Sequence, residues 1–216
     1  MKSGFISVVG RANVGKSTLM SKIIGEKISI ISNKPQTTRD KIQIIYNDEE
    51  SQIIFIDTPG IQTPSNKLQE KLFEFSEESL KESDIITFVV DNSLEIGRLD
   101  NEILEMLKGI HVSKILLINK IDLISQAEFD QIKEKYEAMD FFEEIIGISA
   151  LEDKNIKRYI EAIKSMLDEG PAYYDRDMIT DKSERFIVSE IIREKALNNL
   201  SQEVPHGIAV RIDNFK

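Results

Sequence analysis

The chain has 216 residues, 31% of them charged and 41% apolar, with a formal net charge of −10. That length allows one full core and a small appendage. The acidic balance argues against generic nucleic-acid binding, and the absence of cysteine excludes disulfides, thiolate metal sites and a cysteine nucleophile. No apolar run approaches the ~20 residues of a membrane-spanning helix. The charge is uneven: residues 1–45 hold eight Lys and Arg against Glu26 and Asp40, a net of +6, leaving −16 on the remainder. A basic opening segment fits a polyanionic ligand, with a merely solvated face as the alternative.

In chain order, residues 5–10 (FISVVG) read as a buried strand rather than a signal peptide, and residues 16–24 as a helix. Residues 41–46 alternate as a strand, 47–50 form a polar turn, and 51–56 complete a hairpin. Helical spacing follows over 68–81, 99–107, 126–139 and 155–167. Between these helices lie apolar runs at 85–90 and 114–118 and a short strand at 145–148. Strands alternating with helices predict an α/β fold: a mostly parallel six-stranded sheet with helices on both faces and one antiparallel edge strand. Glu169, Gly170 and Pro171 are expected to stop the last of these helices. Residues 1–170 then form one domain and 171–182 a polar linker. Residues 183–216, with a helix over 184–200 and a strand over 207–213, are too few for a core of their own.

The chemistry gathers where predicted strands end. Residues 10–17, GRANVGKS, fit G-x-x-x-x-G-K-[ST] between a strand and a helix, the context a phosphate-binding loop needs. Gly10 and Gly15 let the backbone turn tightly beside Asn13, and N–H groups from Val14 to Thr18 face the anion at a helix N-terminus. Lys16 reaches the outer phosphates, and the Ser17 hydroxyl ligates Mg²⁺. After the strand at 51–56, Asp57 of DTPG can hold Mg²⁺, and the Gly60 N–H can meet a γ-phosphate. After 114–118 comes NKID. The Asp122 carboxylate matches two adjacent donors on guanine that adenine lacks, Lys120 lies along the base, and Asn119 braces the site. After 145–148, backbone N–H groups of Ser149, Ala150 and Leu151 suit a guanine carbonyl. In the polar stretch 32–40 (SNKPQTTRD), Thr38 is preferred over Thr37 as a threonine that closes over Mg²⁺. Parallel strands bring these ends to one edge, where open α/β sheets bind ligands. His111 and His206 are isolated, and the Glu49–Glu50, Glu77–Glu78 and Glu143–Glu144 pairs read as exposed charge.

GRANVGKS, TTRD, DTPG, NKID and SAL, in this order over residues 1–168, resemble the guanine-nucleotide-binding GTPases and their P-loop GTPase fold. Within that class the chain is similar to the Era family of bacterial ribosome-assembly GTPases. The similarity lies in PQTTRD at 35–40, EGPAYYDRDMITD at 169–181 and ERFIVSEIIREKALNNLSQEVPHGIAVRID at 184–213. The resemblance implies GTP and GDP as ligands with Mg²⁺, and hydrolysis of GTP to GDP and phosphate. It implies Lys16, Thr38 and Gly60 as the catalytic set and Ser17, Thr38 and Asp57 as the metal set. It further implies a KH-type RNA-binding unit from residue 183 and binding to small-subunit (16S) ribosomal RNA and the 30S subunit. A monomer in the cytoplasm, with peripheral contact at the inner membrane, is expected.

Two departures from the family qualify the match, and one position differs from Ras-like GTPases. The family usually has Pro where Ala12 stands. No GXXG, the clamp a KH domain sets on the RNA backbone, occurs after residue 183, so a truncated KH unit with weak RNA binding of its own is expected. The position after Gly60 is Ile61, with Gln62 beside it, where Ras-like GTPases carry a water-orienting Gln. Some relatives with an Asn at the Asn13 position use K⁺, which makes Asn13 a candidate K⁺ residue. The rivals are a similar GTPase acting in tRNA modification or iron transport, and an RNA-binding scaffold whose nucleotide site is structural.

Overall fold

The computed structural model describes residues 1–25, 42–57, 80, 82–199 and 209–214. The helix expected over 68–81 lies almost wholly outside the described residues, as do Thr37, Thr38, Gly60, Ile61, Gln62 and His206.

Among the described residues six strands form one sheet: β1 (Lys2–Val9), β2 (Ile42–Asn47), β3 (Ser51–Asp57), β4 (Ile85–Val90), β5 (Ser113–Ile118) and β6 (Glu144–Gly147), in the order β2-β3-β1-β4-β5-β6. All neighbours run parallel except β2, which pairs antiparallel with β3 as the hairpin reading required. The helices are α1 (Lys16–Ile24), α2 (Arg98–Lys108), α3 (Gln126–Glu137), α4 (Ile156–Met166) and α5 (Glu184–Asn199).

The strands read as unbroken apolar runs because both sheet faces are covered. Successive residues of β5 divide between two cores: Ile115 and Leu117 join one with α1 and α4, while Leu116 and Ile118 join the other with α2 and α3. Local signals fix the helix ends. Gly25, at φ 73°, closes α1 in the left-handed conformation that glycine takes without strain. Ser125 and Glu128 form a reciprocal capping box at the start of α3.

α4 ends at Met166, one residue short of the expected 155–167 and just ahead of the stop signal Glu169–Pro171; there Leu167 turns extended and the chain joins the start of β1, where the Ser3 N–H donates to Asp168 O and Glu169 bridges Lys2. Residues 209–213 are not a strand, since among the described residues no neighbour offers them a ladder, and alternation alone cannot hold an unpaired strand. Residues 171–182, read from the sequence as a polar linker, lie docked along the sheet as a strap. The Ile45 N–H donates to Ile179 O, Gln43 and Asp181 exchange backbone and side-chain bonds, and Asn47 reaches Met178 O. The strap thereby covers the backbone of edge strand β2. Beyond it, Phe186 and Ile187 of α5 pack against the α1–α4 core.

Candidate functional site

The carboxyl ends of β1, β3, β4, β5 and β6 lie along one edge of the sheet. At the first, the chain turns through Gly10 and passes Asn13 at φ 67° and Gly15 at φ 102° before entering α1. Asparagine tolerates this left-handed region better than most residues. Gly15 is required twice, by its φ and because a Cβ there would overlap the Asn119 amide nitrogen. A Cβ on Gly10 would strike the Val89 carbonyl. The loop therefore has no room for side chains where it meets β4 and β5. Val14 is wholly buried, while Asn13 is exposed. Lys16 is 6% exposed, and its Nζ donates to Gly10 O at 2.9 Å and Arg11 O at 3.0 Å. Ser17 and Thr18 lie in the first turn of α1.

Asn119 ties three loops together. Its Nδ2 donates to Val14 O at 2.7 Å, and its Oδ1 accepts the Ala150 N–H at 3.0 Å. Lys120 sits at φ 65°, uncommon for a residue with a long side chain, and its Nζ reaches back to Asn13 O at 2.9 Å. Asp122 follows, exposed, in the short 3-10 turn Ile121–Leu123. Ser149 is buried and its Oγ accepts the Glu152 N–H, while Leu151 stands 67% exposed at the rim. The phosphate loop, NKID and SAL are thus one hydrogen-bonded unit. Asp57 closes β3, with Val8 and Ile42 as its strand neighbours. A hydroxyl at Ser17 and a carboxylate at Asp57 are oxygen donors of the kind Mg²⁺ takes.

The sequence reading missed the end of β4. There Asp91 and, beyond it, Ser93 and Asp100 receive the Arg11 guanidinium. Burial pushes the Asp91 carboxyl up, but hydrogen bonds from Ser93 and the charge of Arg11 outweigh it and hold the group below its ordinary value. Asp100 goes the other way: burial raises it, against Arg11. The available signal was positional, an aspartate directly after an apolar strand on the ligand edge.

Comparison with known proteins gives a consistent picture. The family profile described as "50S ribosome-binding GTPase" matches residues 5–120. The chain is 51% identical over 217 residues to the GTPase Era of Clostridioides difficile (strain 630) and 53% identical over 216 residues to that of Clostridium tetani (strain Massachusetts / E88). Each match takes in all of this chain and 73% of the relative. Among solved structures it is similar to Era in complex with MgGDPNP and nucleotides 1506–1542 of 16S ribosomal RNA, at 39% identity and a TM-score of 0.92. A variant of Aquifex aeolicus Era bound to GDP·AlF4⁻ matches with the same two values. Both superpositions cover 99% of this chain and 73% of the other.

Proposed function

This chain belongs to the Era family of GTPases, and from that premise we propose that the strand-end cradle binds GTP and GDP with Mg²⁺ and carries out the hydrolysis of GTP. The observation that supports this most is Asn119, whose side chain joins the loop read as the phosphate site to the loop read as the base site. Gly10, Asn13, Val14, Gly15, Lys16, Ser17 and Thr18 take the phosphates. Asn119, Lys120 and Asp122 take the guanine with Ser149, Ala150 and Leu151. Ser17, Asp57 and Thr38 hold the metal. When bound, Mg²⁺ supplies charge neutralisation at the outer phosphates.

The chain's own part is positioning and electrostatics. The Lys16 ammonium, held at the loop mouth by two carbonyls, exchanges them for phosphate oxygens and stabilises charge on the transferring group. Thr38 and Gly60 are the residues that would report the γ-phosphate. Asn13 is the candidate for K⁺, which would add a second positive charge at the same phosphates.

A 39%-identical relative solved with MgGDPNP and 16S ribosomal RNA supports extending the proposal to small-subunit ribosomal RNA and 30S assembly. The family profile naming the 50S subunit covers residues 5–120 only, within the nucleotide domain. In this reading residues 1–170 are the nucleotide domain, 171–182 the connecting strap and 183–216 the start of a KH-like unit. The protein works as a monomer in the cytoplasm, where ribosomes assemble, with peripheral contact at the inner membrane.

Equilibrium displacement of a fluorescent GDP tests the nucleotide site. GTP and GDP should compete and ATP should not, and Lys16→Ala should lose tight binding. Displacement by ATP as strong as by GTP would remove the base-reading half of the proposal. Undiminished binding in Lys16→Ala would remove the phosphate half.

A further inference from the structure

Arg11, the second residue of the phosphate loop, sends its side chain away from the loop into a clasp beyond β4. Nη2 donates to Asp91 Oδ1 at 2.5 Å and to Ser93 Oγ at 3.3 Å, and Nε donates to Asp100 Oδ2 at 3.1 Å. Asp91 is itself braced by the Ser93 hydroxyl and N–H. Asp100, in the first turn of α2, is 2% exposed. Its other oxygen, Oδ1, is buried and meets no hydrogen-bond partner among the described residues. At the backbone end of the same residue, the Arg11 carbonyl accepts from Lys16 Nζ. A continuous run of contacts therefore leads from α2 through Arg11 to the ammonium of Lys16.

We propose that Arg11 is a positioning residue for nucleotide binding: the clasp of Asp91 and Asp100 on its guanidinium fixes the backbone of residues 10–13, and with it the place of Lys16, before a polyphosphate arrives. The inference rests on the reading of residues 10–17 as the phosphate site. Two acids gripping different nitrogens of one planar fork fix its angle as well as its position, which a single ion pair does not. A buried carboxylate with one oxygen unmatched among the described residues is a poor device for stability alone. It suits a device that holds a loop in its binding shape and so lowers the ordering cost when ligand enters.

The test compares Arg11→Ala, Arg11→Lys, Asp100→Asn and Lys16→Ala by GDP and GTP affinity, kcat at saturating GTP, and thermal melting. Arg11→Ala should weaken GDP and GTP equally, by about ten- to a hundredfold, with a much smaller fall in kcat at saturation. Arg11→Lys should fall between, since an ammonium cannot grip both acids in the same geometry. Asp100→Asn should weaken binding while melting no lower than wild type, a split that a purely structural role would not give. Adding Asp100→Asn to Arg11→Ala should bring no further loss, because the two act as one unit. Wild-type affinity in a folded Arg11→Ala overturns the proposal. If that variant is unfolded at the assay temperature, wild-type affinity in both Arg11→Lys and Asp100→Asn overturns it instead. Lys16→Ala separates the two readings: if it loses binding while Arg11→Ala keeps it, the clasp alone falls, and if it binds normally the phosphate site falls first.

Discussion

The hydroxyls of Tyr159 and Thr87 stand 2.7 Å apart in the core between α4 and β4, with both residues fully buried. Burial pushes the Tyr159 phenol well above its ordinary value, and the bond to Thr87 only partly offsets this, so the pair is a neutral hydrogen bond at any working pH. Tyr159→Phe removes one member and strands the other. The expected cost is ~1–3 kcal/mol, the penalty of a buried polar group without a partner. Tyr159→Phe combined with Thr87→Val removes both hydroxyls and should recover most of the loss. Urea unfolding of the three variants checks this, and a double variant as unstable as the sum of the singles would mean that the hydroxyls do not act as a pair.

Asp48, in the β2–β3 turn, accepts from the Glu50 and Ser51 N–H groups, from the Ser51 and Tyr46 hydroxyls, and from Lys164 of α4 at 2.7 Å. Burial alone would raise its carboxyl, but Lys164 and these donors together hold it well below the usual range. A carboxylate depressed in the folded state contributes stability that is present above its unfolded value, about 3.9. That stability is lost as pH falls through the folded value. Wild type should therefore lose stability to acid below about pH 4 more steeply than Asp48→Asn. The variant should be the less stable of the two at pH 7, with the gap narrowing toward pH 3. Parallel denaturant curves at the two pH values measure it, and a constant gap would exclude Asp48 titration as the cause.

Gln52 is fully buried on β3, and its amide makes four bonds. Oε1 accepts the Tyr173 and Tyr174 N–H groups, and Nε2 donates to Tyr174 O and Asn47 Oδ1. It is the anchor of the strap. Gln52→Leu should release residues 171–182 from the sheet, at a cost of ~2–4 kcal/mol for several unpaired groups, and open that segment to proteolysis. Limited trypsin digestion, with Arg176 and Lys182 as the expected new cuts, reports the release. Equal digestion rates in wild type and variant would show that the backbone pairing of 178–181 with β2 holds the strap unaided.

These cases show what one sequence makes legible. Strands covered on both faces write themselves as apolar runs such as IITFVV and KILLI, and a loop in contact with polyphosphate needs glycine at fixed spacing. Fold and motif were therefore plain from local pattern. The strap was not. Its anchor Gln52 sits amid an apolar strand, 122 residues from Tyr174, and a polar residue met in sequence carries no mark of where its partner lies. Arg11 is similar, since its clasp on Asp100 joins residues 89 apart. The end of α4 was local by contrast: Glu169–Pro171 stands just past Met166, where the helix ends.

Asp122 offers the sharpest test of base recognition. It follows Lys120, whose left-handed backbone and contact with Asn13 O place the NKID turn over the phosphate loop. It is exposed. An ionised carboxylate only accepts, which matches the ring N–H and 2-amino group of guanine, whereas an asparagine amide offers one acceptor and one donor. Xanthine keeps the ring N–H but carries a carbonyl where guanine has the amino group, so it requires that donor. Asp122→Asn should therefore set guanine's amino group against an amide N–H, a mismatch of roughly 1–3 kcal/mol, and should bind XTP more tightly than GTP while wild type does the reverse. The phosphate loop is untouched, so total nucleotide binding should persist in one form or the other. Competition between GTP and XTP for the variant decides the matter. A variant that still prefers GTP would mean that NKID does not read the base, and guanine selectivity would have to come from the Ser149–Leu151 turn alone.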